Sequence, residues 1–364
     1  MEKEKIKIGK VLTFAGAVIA FTIGSGFATG QEILQYFTAY GYKCILVVAV
    51  FLVIFLYTNY HFAKAGNEEQ FERGSQIFSY FCGKKLGTVF DYFAVIFCYL
   101  SFIVMVAGAS ATLNQQYGIP PAVGGAILMV AAGITVVGGL NAMVDVLGKV
   151  GPLIVVLCIA VGAITLFRDM GNIPEGIRLM ESGEVKVMAA SSNWLFSGCS
   201  YGGFCLLWFA GFMTELGKKS KLKELTTGMF LGTAVIAVAI LLVGFGLIAN
   251  ISSVYGAQIP NLILTTKILP AFSSFFAIVI LMGIYTTAVP LLWTASSRFT
   301  KENSPAFKIL TIVLAIVGFI VSLTVPFDRL VNIIYVLNGY VGALLILFMI
   351  IKNIRLAIEK RKTR

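Results

Sequence analysis

Three short stretches of this chain combine residue types that a binding site needs. The first is Gly24-Ser25-Gly26, two glycines around a hydroxyl inside an otherwise apolar run. Glycine has no Cβ to resist non-helical dihedrals, so a helix can open there. Opening frees backbone N–H and C=O groups, which are costly in an apolar medium unless something pairs with them. A half-helix starting near Phe27 would offer N–H groups and a positive pole to an anion; one ending near Ile23 would offer carbonyls to a cation. The second stretch is Gly198-Cys199-Ser200-Tyr201-Gly202-Gly203, with Ser197 beside it and Phe204 placed to close a pocket. The third is Gly283-Ile284-Tyr285-Thr286-Thr287-Ala288-Val289-Pro290. Pro290 cannot donate to the Thr286 carbonyl four residues back. That leaves an acceptor beside two adjacent hydroxyls, the oxygen ligands that a dehydrated Na⁺ requires. The alternative is that Thr286 and Thr287 bond to their own preceding turn, as threonines in membrane helices commonly do.

An ionisable group inside an apolar run is a functional hypothesis by default, because burying it is costly. Glu32, six residues past Gly26, is the candidate proton carrier or gate. Glu215, just before Lys218 and Lys219, reads as an interfacial, salt-bridged residue, and Asp91, Asp145 and Asp328 sit at the ends of apolar runs. The single histidine, His61, gives a histidine-based metal site no second part. The six cysteines form no CxxC pair and read as small hydrophobes in packing. No Lys or Arg falls near either glycine stretch. A dicarboxylate guest would therefore lack a cationic partner, and a net-neutral zwitterion or a neutral solute fits better.

The elements that must position these residues are membrane helices. The chain has 364 residues, 58% of them hydrophobic and 12% charged, against about 25% charged in a soluble domain. Apolar runs long enough to cross a bilayer fall at 9–37, 42–63, 88–116, 119–137, 143–167, 188–212, 225–249, 271–299, 305–324 and 328–352. The connections alternate in charge. Lys3, Lys5, Lys7 and Lys10, then Lys64, Arg73, Lys84 and Lys85, then Lys149, then Lys218, Lys219, Lys221 and Lys223, then Arg298, Lys301 and Lys308 share one side with the basic C-terminal tail. The other side keeps Lys43, Arg168, Arg178, Lys186, Lys267 and Arg329. By the positive-inside rule both termini are expected in the cytoplasm. The net charge of +11 is then a topology signal with some attraction to anionic lipid, and nucleic-acid binding is not needed to explain it. Met1–Lys10 runs directly into the first span with no small-residue cleavage site, so no cleaved leader is expected. Soluble enzymes and disulfide scaffolds are excluded. An intramembrane enzyme is disfavoured, since no HExxH or paired-Asp motif lies in a span.

The chain divides into two halves that match. Residues 1–168 are the first five-helix repeat, 169–187 an external connection, 188–356 the second repeat and 357–364 a basic tail. Each half opens with a glycine-interrupted span. A plain span follows, then a connection (67–87 and 250–270) expected to form a short amphipathic helix at the membrane surface, then a long span and two more. An odd number of spans per half makes the repeat inverted, the arrangement in which paired broken helices mark a binding site. The segment Ile23-Gly24-Ser25-Gly26-Phe27-Ala28-Thr29-Gly30-Gln31-Glu32-Ile33 resembles the first-helix signature of the amino acid–polyamine–organocation superfamily, whose members share the LeuT fold. Extended through Tyr36-Phe37, it resembles more specifically the YkvI-like group of bacterial membrane proteins.

The resemblance implies an all-α polytopic membrane protein of about ten helices in a five-plus-five inverted repeat, with helices 1 and 6 broken. It implies a secondary transporter, in the cell membrane, for a small amino-acid-like solute driven by Na⁺ or H⁺, with no cofactor beyond the coupling ion. Substrate contacts are then expected from Gly24, Ser25, Gly26, Ser197, Ser200, Tyr201, Gly202 and Phe204. Tyr99, beside Ser101 at the middle of the third span, matches a position from which this fold contacts a substrate carboxylate; packing between helices is the alternative. A Na⁺ would take Ala20, Ile23, Gly283, Thr286 and Thr287. A non-transporting nutrient sensor on the same fold remains the other reading, and oligomeric state is left open.

Overall fold

A computed structural model describes residues 6–138, 144–302 and 304–362. Among them, nine helices are long and apolar enough to cross a membrane. The N-terminal stretch is cut into α1 (Ile8–Thr22), α2 (Ser25–Thr29) and α3 (Gln31–Tyr36). The first half continues with α4 (Cys44–Glu69), α5 (Gln76–Tyr117), α6 (Pro121–Gly138) and α7 (Val144–Asp169), and α8 (Ile173–Glu181) lies in the connection. The second half comprises α9 (Trp194–Lys219), α10 (Leu222–Ala249), α11 (Ile251–Val254), α12 (Pro260–Ile268), α13 (Pro270–Ser297), α14 (Pro305–Ser322), α15 (Phe327–Leu330) and α16 (Val336–Lys362). A single π-helical turn, Val331–Tyr335, joins the last two.

Local chemistry explains where these helices begin. Asn193 caps α9 by accepting from the Phe196 N–H at 3.0 Å, and Ser304 caps α14 by accepting from Phe307 at 3.1 Å. Proline opens α12, α13 and α14, where its missing N–H costs nothing. Large apolar side chains point outward, Val53 at 70% exposure and Phe230 at 64% among them. Only hydrocarbon could cover such a belt.

The packing partners reveal the repeat. α1 packs mainly on α10, α4 on α9 and α5 on α13, and α6 also packs on α14. Exchanging the two halves turns the first of these pairs into the second and returns each of the others to itself. The broken first span runs parallel to α10. Near one end the Lys7 N–H donates to Glu224 Oε1 at 3.0 Å, and near the other the Thr38 hydroxyl donates to the Gly244 carbonyl. α9, the counterpart of the broken span, ends where α10 begins and therefore runs the other way.

The connections differ from expectation in one respect. The first includes a short leg of α5, Gln76–Cys82, set off by a non-helical Gly83. The second, α12, does not lie on the surface: Pro260, Asn261, Leu262, Leu264 and Thr265 are all buried. Its apolar side chains on several faces are satisfied by insertion among the spans, not by a lipid interface.

Candidate functional site

The first span breaks where its glycines allow it. Ile23 still donates to the Ile19 carbonyl at 2.8 Å, but Gly24 adopts an extended conformation (φ −91°, ψ −165°) and the helical ladder lapses. Ser25 opens α2; its side chain lies outside the described residues. A second break follows at Gly30, whose φ of +85° suits only a residue without Cβ. A Cβ there would also come within 2.6 Å of Asn261 Oδ1. Asn261, carried by α12, donates to the carbonyl of Ala28 at 3.0 Å and approaches that of Phe27 at 3.4 Å. The Thr29 hydroxyl donates to the Gly26 carbonyl at 2.7 Å. Backbone acceptors freed by the breaks are thus met by side chains.

The second break redirects Glu32. On a continuous helix a residue six positions on stands about 9 Å further along the axis and about 240° around it. Here the chain turns at Gly30, and the Glu32 carboxyl occupies the space that a Cβ on Gly26 would fill. Tyr201, from α9 in the other half, donates its hydroxyl to Glu32 Oε2 at 3.2 Å. Glu32 is 5% exposed and Tyr201 fully buried.

Aromatic rings surround the pair. The rings of Tyr36, Phe37 and Phe51 lie 5.1, 4.9 and 5.1 Å from that of Tyr201, and Phe204 stacks on Tyr335 at 4.4 Å. Tyr36, Cys205 and Tyr335 are electrostatic neighbours of Glu32. Ser197 donates to the Tyr36 carbonyl at 2.7 Å. The Ser101 hydroxyl is buried without a hydrogen-bond partner, and those of Tyr36 and Ser200 lie against each other without completing a well-formed bond, a condition that costs free energy until something pairs with them.

The expected break in the sixth span is absent. α9 is helical without interruption from Trp194 to Lys219. Its glycines serve close approach instead. A Cβ on Gly198 would stand 2.7 Å from Val50 Cβ, and one on Gly202 would stand 2.6 Å from Ile54 Cγ2, both on α4. Gly217 faces the Ala63 backbone of α4 in the same way, while Gly203 faces the Gly339 carbonyl of α16. Glycines on two faces let one helix sit tightly between two neighbours, the packing role of small residues in membranes. Gly202 thus meets α4 and not an open cavity.

Tyr99 is also placed elsewhere. Its hydroxyl donates to the Leu314 carbonyl of α14 at 3.0 Å, so it joins two helices and does not face Glu32. At the third stretch, Thr286 and Thr287 both donate to the Gly283 carbonyl, at 3.0 and 2.9 Å. α13 runs through Pro290 without a break and packs against α2, the segment directly after Ile23. Each threonine oxygen keeps lone pairs after donating, and both residues are half-buried. Oxygen chemistry suited to Na⁺ is therefore present on α13, with Ala20 and Ile23 at the adjoining end of α1. Among the described residues, no group of three or more His, Cys, Asp or Glu side chains forms a transition-metal site. Glu215 pairs with Lys219 at 3.8 Å, as an interfacial residue should. Asp91 is held by Arg298 at 2.6 Å, and the Asp145 side chain lies outside the described residues.

Amide side chains tie together segments that flank the site. Gln35 donates to the Asp328 carbonyl at 2.8 Å and accepts from Asn332 at 2.9 Å. Gln115 both donates to the Ile259 carbonyl and accepts from its N–H, at 2.8 and 3.0 Å, fixing the start of α12. Gln35, Asn261, Tyr36 and Tyr335 were not singled out by sequence. The available signal was polar residues stranded in apolar runs, Gln31 and Gln35 one helical turn apart among them.

No family model matches the chain. It is similar to an uncharacterized membrane protein of Bacillus subtilis (strain 168), YkvI, at 21% identity over 344 residues, 94% of this chain and 95% of that one. A second B. subtilis (strain 168) protein, described as uncharacterized YyaD, matches at 28% over 103 residues, which span only 29% of its length. Among solved structures, the inward-facing conformation of Mhp1 superposes with a TM-score of 0.61 at 14% identity, covering 92% of this chain and 73% of that one. MhsT in complex with L-phenylalanine gives 0.58 at 17%, covering 92% and 87%. A Na⁺-coupled sialic acid symporter gives 0.53 at 15%, covering 97% and 79%. The chain is a multi-pass membrane protein with the LeuT fold and a distant, full-length relative of YkvI.

Proposed function

We propose that the protein is a secondary active transporter that moves a small zwitterionic or neutral organic solute by alternating access. The observation that carries this reading is the meeting, deep in the bundle, of a twice-broken first span with Tyr201 from the opposite half, beside buried hydroxyls without a well-formed hydrogen bond. The fold shared with Mhp1, with MhsT, which binds L-phenylalanine, and with a Na⁺-coupled sialic acid symporter supports it. The contact pattern supports a division of labour. α1, α4, α9 and α10 pack as one group and α5, α6, α13 and α14 as another, so one group can rock against the other about the site. The two repeats are taken as 1–168 and 188–356, with both termini in the cytoplasm and the protein in the cell membrane.

Coupling has two carriers to consider. Na⁺ would be held by the hydroxyls of Thr286 and Thr287 with the carbonyls of Gly283, Ala20 and Ile23; H⁺ would be held by Glu32. Solute uptake into proteoliposomes, with a Na⁺ gradient or a pH gradient imposed separately, tests the reading. Accumulation against a gradient is expected. A protein that binds solute and accumulates none would be a sensor. If Na⁺ drives uptake, replacing Thr286 and Thr287 with Ala should raise the half-saturating Na⁺ at least tenfold; unchanged Na⁺ dependence would remove this ion site.

A further inference from the structure

We infer that the solute is held through a protonated amine at Glu32, and that the amine takes this place in exchange for the proton that Glu32 carries when the site is empty. The inference rests on the carrier reading above and specifies its ligand chemistry and its coupling. Glu32 is the acidic side chain lodged in the first break, with its carboxyl seated against Gly26. An isolated carboxylate in such surroundings is strongly disfavoured, so the empty site holds the neutral acid. The titratable groups facing it are Tyr36 on its own segment, Tyr201 and Cys205 on α9, and Tyr335 beside α16. None of these is a cation at neutral pH. α10 and α12, which also pack on α3, contribute no charged group to its surroundings. Among the described residues no cation therefore neutralises an ionised Glu32, and a guest must do so.

The rest of the lining fits an ammonium. Aromatic faces attract cations, most strongly where water is excluded, and the rings of Tyr36, Phe37 and Phe51 pack around that of Tyr201, whose hydroxyl meets the carboxyl. The Tyr36 and Ser200 hydroxyls, buried against each other without a well-formed bond, keep lone pairs that can accept the remaining N–H donors. Proton balance is simple. R–NH₃⁺ enters, the Glu32 O–H bond breaks, the ammonium pairs with the carboxylate, and the proton leaves to the water on the side to which the site is open. One carboxyl serves both cations, never together, so a zwitterion that carries the amine exchanges for a proton with net movement of one charge.

The experiment uses the full chain in detergent at low buffer capacity, titrated with 2-phenylethylamine, putrescine, ethanolamine, L-phenylalanine and the uncharged isostere 2-phenylethanol. Binding is read by calorimetry and proton release by a pH indicator. At least one amine-bearing probe should bind with release of about one proton, and its apparent Kd should fall about tenfold per pH unit while the empty site remains protonated. Glu32→Gln should weaken that probe at least tenfold and abolish the release; Tyr201→Phe, which keeps the fold's volume, should weaken it less. Binding of 2-phenylethanol as tight as that of the amine, amine binding without proton release, or binding by none of the amines would each overturn the inference. Its failure is separable from that of the carrier reading. Uptake of neutral solute that survives Glu32→Gln would sink the inference alone, whereas proton-releasing binding with no accumulation in proteoliposomes would sink the carrier alone.

Discussion

Glycine in this chain does two jobs that residue type alone does not separate. At Gly26 the absent Cβ makes room for the Glu32 carboxyl, the far end of a flexible side chain. At Gly203 it makes room for the Gly339 carbonyl, which is backbone and cannot swing aside. The two positions should therefore respond differently to substitution. Gly26→Val should leave a folded protein in the membrane, at a cost within the about 1–3 kcal/mol usual for overpacking. Solute binding should be lost, because the carboxyl is expelled from its seat. Thermal melting in detergent and ligand titration of the same sample check this; normal binding would remove the first break from the site. Gly203→Leu should lower the melting temperature more than Gly26→Val, since no rotamer relieves its clash with α16.

At the scale of elements, the two halves resemble each other in packing but not in continuity. The first span is cut at Gly24 and Gly30, and its freed carbonyls are answered by Asn261 and Thr29. α9 keeps its ladder because α4 and α16 clamp it on two faces. Hydrogen exchange reads this directly. Amides of 24–26 and 30–31 should exchange faster than those of 198–203 by at least an order of magnitude, since only the latter lie within an unbroken, buried helix. Equal exchange in the two stretches would mean that α9 also opens. The amphipathic surface helix expected at 250–270 failed for a related reason: hydrophobic pattern shows that a face is apolar but not whether protein or lipid covers it. α12 is covered by protein and so can reach Gly30.

For the whole molecule, the charge distribution predicts the orientation, and apolar exposure fits a bilayer. Single cysteines placed at Lys85 and at Glu184, in a background free of the native six, should label from opposite sides with a membrane-impermeant maleimide. Glu184 should react in intact cells and Lys85 only after permeabilisation; the reverse result would invert the topology. Near the site the segments are tied by amide hydrogen bonds, Gln35 with Asn332 and Asp328 and Gln115 with Ile259, so little of this tie depends on screenable charge.

Sequence by itself determined the spans, the two halves and the first break, because each follows from local composition: apolar run length, the recurrence of connection types, and paired glycines around Ser25. It also marked Glu32, since a lone acid in an apolar run needs no neighbours to stand out. Tertiary structure alone decided what these residues meet. Gly198, Gly202 and Gly203 spell a break as readily as a close contact, and only the nearness of α4 and α16 selects the contact. Tyr99 could turn to either side of α5, and the Leu314 carbonyl fixes it away from Glu32. The carboxyl of Glu32 reaches Gly26 because the chain reverses its helical phase at Gly30, a dihedral held by Asn261 from the other half of the chain. Spacing along a sequence presumes a continuous helix, and that presumption fails where the helix is opened by a residue more than two hundred positions away.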